Sequence, residues 1–124
     1  MPDRLKVVDA SALAAILFAE PRAEEAAALL DDCDLAAPTL LRYEIGSVCL
    51  KKLATYPHKQ RPLLEALALY PRMNLREFEV PIPESVALAR RERLTAYDAA
   101  YLWLAQELDV ELVTFDDTLR RASH

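Results

Sequence analysis

The sequence predicts an α/β domain built on a parallel sheet, and three observations carry that expectation. Short apolar runs alternate with longer alanine- and leucine-rich segments of helical period, the order that strand–helix–strand units require. At 124 residues, with 53% hydrophobic and 28% charged side chains, the chain suits one domain, residues 1–124, with enough apolar surface for a core. Eight prolines punctuate the segments, and no linker, repeat or low-complexity tract separates them.

Residues 5–9, LKVVD, read as a short buried strand. Residues 10–19 follow as a helix that ends ahead of Pro21, and residues 22–31 as an alanine- and leucine-rich helix. A short strand is expected at 35–37 before Pro38. Residues 39–53 are helical, with Thr39 as the N-cap. Residues 57–70 make a further helix, weakest at Pro62 near its first turn. Loose alternation over 75–80 places Phe78 and Val80 on one side of a strand. Pro83 opens a helix that runs to residue 93, and Thr95 caps a strong helix over 96–108. Residues 110–115 form the last strand and 118–123 a short closing helix. Ligands of parallel sheets bind outside the carboxyl ends of the strands, so acids at those ends take priority.

Composition excludes several function classes. Fifteen Lys and Arg against twenty Asp and Glu give a net charge of −5, which argues against coating nucleic acid by bulk charge. It leaves room for an enzyme that brings a phosphate into an acidic pocket through a metal. A single glycine removes every Gly-rich phosphate cradle. No apolar run approaches a membrane span, and the first residues, Met1 to Lys6, have no apolar stretch behind them of the kind a signal peptide needs. Cys33 and Cys49 are too few for a disulfide scaffold and lack metal-site spacing. The expectation is a reduced cytoplasmic protein without membrane contact.

Four acids stand out. Asp9 ends the first strand, and Asp116, followed by Asp117, ends the last. Glu44 lies inside a helix with Leu40, Leu41, Ser47 and Val48 around it on the wheel; Asp98 shares its face with Tyr101, Leu102 and Ala105. Each has a plainer reading: Asp9 and Asp116 as helix N-caps, Asp98 as half of a capping box with Thr95, Glu44 as partner of Arg42, Lys51 or Lys52. Those readings do not explain why all four should fall near one edge of a sheet. Gathered carboxylates repel, so a cluster implies a compensating cation. Oxygen donors without His or Cys favour Mg²⁺ or Mn²⁺ over Zn²⁺. Such a centre suits a metal-dependent nuclease.

The segments VVDASALAAILFAEP from Val7, APTLLRYEIGSV from Ala37, LTAYDAAYLWLAQEL from Leu94 and LVTFDDTLRRA from Leu112 carry a family likeness. In order, spacing and context the chain resembles the PIN-domain family, and within it the VapC-type toxin ribonucleases of prokaryotic toxin–antitoxin pairs. By position, the resemblance matches Asp9, Glu44, Asp98 and Asp116 to the family's four acids and Thr114 to the hydroxyl residue two before the last. Ser11 matches a common hydroxyl after the first acid. It implies a three-layer α/β/α fold with a four- or five-stranded parallel sheet, Mg²⁺-dependent endoribonuclease activity with Mn²⁺ as a substitute, a homodimer and a cognate VapB-type antitoxin. Two departures accompany it. Asp117 doubles the fourth acid and competes with Asp116, and the sequence stops at His124 where many members continue into a fifth strand.

Basic residues near the acids, namely Arg42, Lys51, Lys52, Arg90, Arg91, Arg93, Arg120 and Arg121, are candidates for RNA phosphates but read first as solvated faces. His58 and His124 have no partner pattern, and Ser11 has no His–Asp companions for a triad. Tyr97, Tyr101 and Trp103 at helical spacing read as core or dimer packing. A haloacid-dehalogenase mechanism wants an acid where Ser11 stands. The leading expectation is an endoribonuclease in which a metal-activated water leaves 5′-phosphate and 3′-hydroxyl ends. The alternatives are a non-catalytic PIN-like module that binds a protein and an RNA-processing nuclease that is not a toxin.

Overall fold

Val7 and Val8 are fully buried because β1 (Leu5–Val8) is an interior strand whose two faces are both covered by helices. Val7 is in register with Ala36 of β2 (Asp34–Pro38) and with Leu112 of β4 (Leu112–Val113), and β3 (Arg76–Phe78) pairs with the far side of β2. The computed structural model describes residues 4–124; residues 1–3, part of the stretch read for a signal peptide, lie outside the described residues. All pairings are parallel and the order is β3-β2-β1-β4.

The connections step outward from β1 to β2 to β3, then return across the sheet to β4. Right-handed crossovers therefore put the first four helices on one face: α1 (Ala10–Leu17), α2 (Ala23–Leu30), α3 (Leu41–Thr55) and α4 (Gln60–Leu67). The pair α5 (Ile82–Glu92) and α6 (Ala96–Leu108) covers the other, and α7 (Asp117–Ala122) leans on α6. The result is the three-layer α/β/α arrangement. Leu13, Leu41, Ile45, Leu102, Leu104 and Leu119 pack its core. Strand order reverses between β1 and β4, so the topological switch point lies at their carboxyl ends.

Several boundaries differ from expectation for identifiable reasons. Thr39 does not cap α3. Its N–H continues the β2–β3 ladder by donating to the Phe78 carbonyl at 3.0 Å, and the helix starts at Leu41 without a side-chain cap. The segment 57–70 is broken into a 3₁₀ turn (Pro57–Lys59), α4 and a second 3₁₀ turn (Tyr70–Met73). Pro62 is harmless in the first turn of α4, where helical N–H groups lack intrahelical acceptors; Pro71, four residues beyond Leu67, forbids continuation. The last strand shrinks to two residues, and the sheet has four strands among the described residues.

With the one glycine, Gly46, used inside α3, left-handed turns fall to Ala19, Asp32, Asn74, Arg93 and Asp109, at φ of 51 to 58°. Arg93 and Asp109 end α5 and α6 in Schellman-type closures, with Leu94 N–H on the Ala89 carbonyl and Val110 N–H on that of Ala105. Both cysteines are free thiols. Among the described residues no helix is long and apolar enough to cross a membrane.

Candidate active site

The switch point brings the strand-end acids and the helical acids to one place. Asp9, the first residue past β1, is 5% exposed and caps α1. Its Oδ1 accepts from the Ala12 N–H at 3.1 Å and from Ser11 Oγ at 2.7 Å, and its Oδ2 from Thr114 Oγ1 at 2.5 Å. Thr114, just past β4 and also buried, accepts the Asp116 N–H at 3.0 Å. Ser11 Oγ accepts the Phe115 N–H at 2.8 Å. These two hydroxyls tie the ends of β1 and β4 together through the Asp9 carboxylate. Burial pushes the Asp9 carboxyl above its ordinary value, although its three hydrogen bonds oppose the shift, and the charge of Asp116 adds to it.

Glu44 projects from the first turn of α3 and is half-buried. Its Oε1 accepts the hydroxyl of Tyr101, a residue of α6 only 1% exposed. Burial raises the Glu44 carboxyl, the Tyr101 bond opposes this, and the charges of Asp9 and Asp98 raise it further. Burial, followed by Glu44 itself, drives the Tyr101 phenol far up, so it stays a donor. Asp98, in the first turn of α6, has its N–H on Thr95 Oγ1 at 3.1 Å, half of the anticipated capping box. Its carboxyl is raised by burial first, then by Asp116 and Asp9. Asp116 caps α7, accepting the Leu119 N–H at 2.8 Å, whereas Asp117 turns away to pair with Arg120.

The plainer readings thus hold in part. Asp9 and Asp116 are N-caps and still face the cluster. The ion pair imagined for Glu44 is absent: Arg42 goes to Glu77 and Lys52 to Glu20. Among the described residues none of Asp9, Glu44, Asp98 and Asp116 meets a cationic side chain. Carboxylates that repel one another, backed by hydroxyls and lacking nitrogen or sulfur donors, have the chemistry that suits a hard divalent cation better than Zn²⁺. Among the described residues no three of the His, Cys, Asp and Glu side chains stand close enough to hold one ion between them.

Sequence reasoning took Tyr101 for packing, and the structure makes it the partner of Glu44. The available signal was a hydroxyl one turn after Asp98 on the same buried stripe. Arg22 was likewise missed: it stacks 3.7 Å over the Phe115 ring while holding Glu25 at 2.9 Å. Two clefts flank the acids. One of about 600 Å³ runs between α1 and Phe115, past Ser11 and Arg22; another of about 490 Å³ lies between α3 and Tyr97 and includes Glu44.

Fold and site define a three-layer α/β domain with an acidic centre at its switch point, and known proteins share this frame. The family model described as PIN domain matches residues 6–124. The chain is 30% identical to Ribonuclease VapC3 of Pyrobaculum aerophilum, an alignment covering 91% of this chain and 90% of that one. The crystal structure of PAE2754 from Pyrobaculum aerophilum superposes with a TM-score of 0.79 at 26% identity, covering 97% of this chain and 85% of that one. The structure of VapC20 from Mycobacterium tuberculosis, described as a Sarcin-Ricin loop cleaving toxin, gives 0.71 at 14% identity over 94% of both chains, a likeness of fold. The chain belongs to the PIN domain family, in its VapC-type branch.

Proposed function

We propose that this protein is a Mg²⁺-dependent endoribonuclease, with Mn²⁺ as a substitute, and the toxin of a VapBC-type toxin–antitoxin pair. The observation that carries the reading is the set of four carboxylates at the switch point, Asp9, Glu44, Asp98 and Asp116, without a cationic partner among the described residues. The ribonuclease name of the relative aligned over 91% of the chain supports it.

These four acids would share one or two divalent cations, drawing in from the separation they have in the metal-free chain. When bound, a divalent ion neutralises the charge of a phosphodiester and acidifies a water for in-line attack, which leaves 5′-phosphate and 3′-hydroxyl ends. The chain's own residues supply the frame. Thr114 and Ser11 hold the Asp9 carboxylate in one orientation, and Thr114 sets the Asp116 backbone against it. Tyr101 fixes one oxygen of Glu44 and leaves the other free. Asp117, next to Asp116, is engaged with Arg120 and would act only in support. The helix N-termini at Asp9, Asp98 and Asp116 ease the crowding of negative charge. The partners of this reading are an RNA substrate, a VapB-type antitoxin and a second copy of the chain, and its setting is the cytoplasm.

The test is cleavage of end-labelled RNA by purified protein freed of any partner, in Mg²⁺ or in EDTA. Cutting that needs the metal and leaves 5′-phosphate ends supports the proposal. Ends bearing a 2′,3′-cyclic phosphate would overturn it, because the attacking group would then be the 2′-hydroxyl. No cutting together with no Mg²⁺ or Mn²⁺ binding would favour a protein-binding module.

A further inference from the structure

Two of the four acids are preceded by an exposed tyrosine. Tyr43 stands before Glu44 and is 72% exposed; Tyr97 stands before Asp98 and is 65% exposed. Both line the cleft of about 490 Å³ between α3 and the first turn of α6, inside the roughly 300–1,000 Å³ range of small-ligand sites. Val48 contributes to its apolar lining, Glu44 opens it to the acids, and Ser47 and Lys51 continue the α3 wall. Among the described residues neither tyrosine ring makes a hydrogen bond, an aromatic stack or a cation contact. Among the described residues Lys51 has no ion pair, while its neighbour Lys52 is held by Glu20.

We infer that this cleft is a nucleotide subsite, which takes one unpaired nucleotide of the RNA strand with its base against Tyr43 and Tyr97 and a phosphate at Lys51. The inference rests on the ribonuclease reading and adds where the strand lies. Single-stranded nucleic acids are held by aromatic faces for the bases beside cations for the backbone, and both stand here within one cleft. Two nearly bare phenol rings fold at the expense of apolar surface left in water, which stacking on a base would cover. A second protein chain is the poorer occupant, since it would close over the Glu44 carboxylate and an unpaired ammonium in the depleted-charge core of an interface. The cleft on the other side of the acids carries no comparable pair, for Arg22 already covers the Phe115 ring.

The experiment measures kcat and KM for Mg²⁺-dependent cutting of a single-stranded RNA by Tyr43→Ala, Tyr97→Ala, Tyr97→Phe and Lys51→Ala proteins, with their masses by sedimentation. Each tyrosine truncation should raise KM about tenfold or more with kcat little changed, Tyr97→Phe should restore the parent KM, and Lys51→Ala should raise KM and flatten its salt dependence. Tyrosine variants that keep the parent KM overturn the subsite and leave the nuclease standing. Variants that keep KM but drop to a lower mass assign the face to a second copy instead. A parent protein that cuts no RNA removes the nuclease reading and this inference with it.

Discussion

Two tyrosine–glutamate pairs in this molecule live under opposite electrostatic rules. At the β3 edge, Tyr70 donates to Glu77 at 3.1 Å, and the same carboxylate takes the Arg42 guanidinium; nearby, Arg76 holds Asp34 at 3.0 Å. At the switch point Tyr101 donates to Glu44, and the neighbours of that carboxylate are Asp9 and Asp98. The first arrangement ties α3 to β3 and β2 to β3. The second gathers charge that nothing in the described chain neutralises. Identical side chains therefore serve cohesion in one place and, in the proposed function, ligand capture in the other, and the partner decides which.

The largest contrast is expected in activity. Asp9→Asn or Asp98→Asn should lower RNA cleavage by more than the roughly 10–100-fold that loss of an outer partner costs, whereas Glu77→Gln should leave the rate unchanged. A rate assay on the three purified proteins decides this, and equal losses would erase the distinction between the two regions. Thr114→Val comes next. It keeps the volume but removes the hydroxyl between Asp9 and Asp116, so cleavage should fall about 10–100-fold with metal affinity falling alongside.

Stability sharpens the comparison in the other direction. Glu77→Gln removes the charge that Arg42 uses and should destabilise by about 1 kcal/mol in a denaturant titration. Glu44→Gln keeps the Tyr101 bond and removes a charge that burial and neighbouring acids penalise, so the metal-free protein should become more stable at neutral pH. The sign follows from the raised carboxyl: its stabilising protonation is complete below the ordinary value of 4.5 and lost as pH rises through the higher folded one. The gap between parent and Glu44→Gln melting temperatures in EDTA should therefore shrink as pH falls; a gap that widens contradicts the account. The smallest effect is at Gly46, where an added Cβ meets nothing within 4 Å, and Gly46→Ala should stabilise α3 by about 0.5–1 kcal/mol in the same titration.

Much of this is legible in the sequence. The helix after Thr95 and its cap followed from local chemistry, because Thr95 needs only its own helix to bond the Asp98 N–H. The parallel sheet followed from strand–helix alternation, and the strand-end positions of Asp9 and Asp116 followed from the sheet. What escaped was non-local. Thr39 looks like an N-cap until pairing with β3 extends the ladder to it and leaves Leu40 as the residue that opens α3, and Tyr101 looks like core until α3 presents Glu44 across the interior. Asp116 is favoured over Asp117 in sequence by Thr114 two residues before it, and the pairing of Asp117 with Arg120 is a contact the sequence does not announce. The exposure of Tyr43 and Tyr97 was hidden for a similar reason, since helical spacing states which residues share a face and not what that face meets.

The central claim is that the four uncompensated carboxylates form a divalent-cation site, and calorimetric titration of metal-free protein with Mn²⁺ and Mg²⁺ tests it most directly. The account predicts saturable binding by the parent and by Glu77→Gln, with strongly weakened binding by Asp9→Asn, Asp98→Asn and Glu44→Gln, all still folded by circular dichroism. No binding by the parent protein, or equal binding by the folded Asp9→Asn protein, would contradict it.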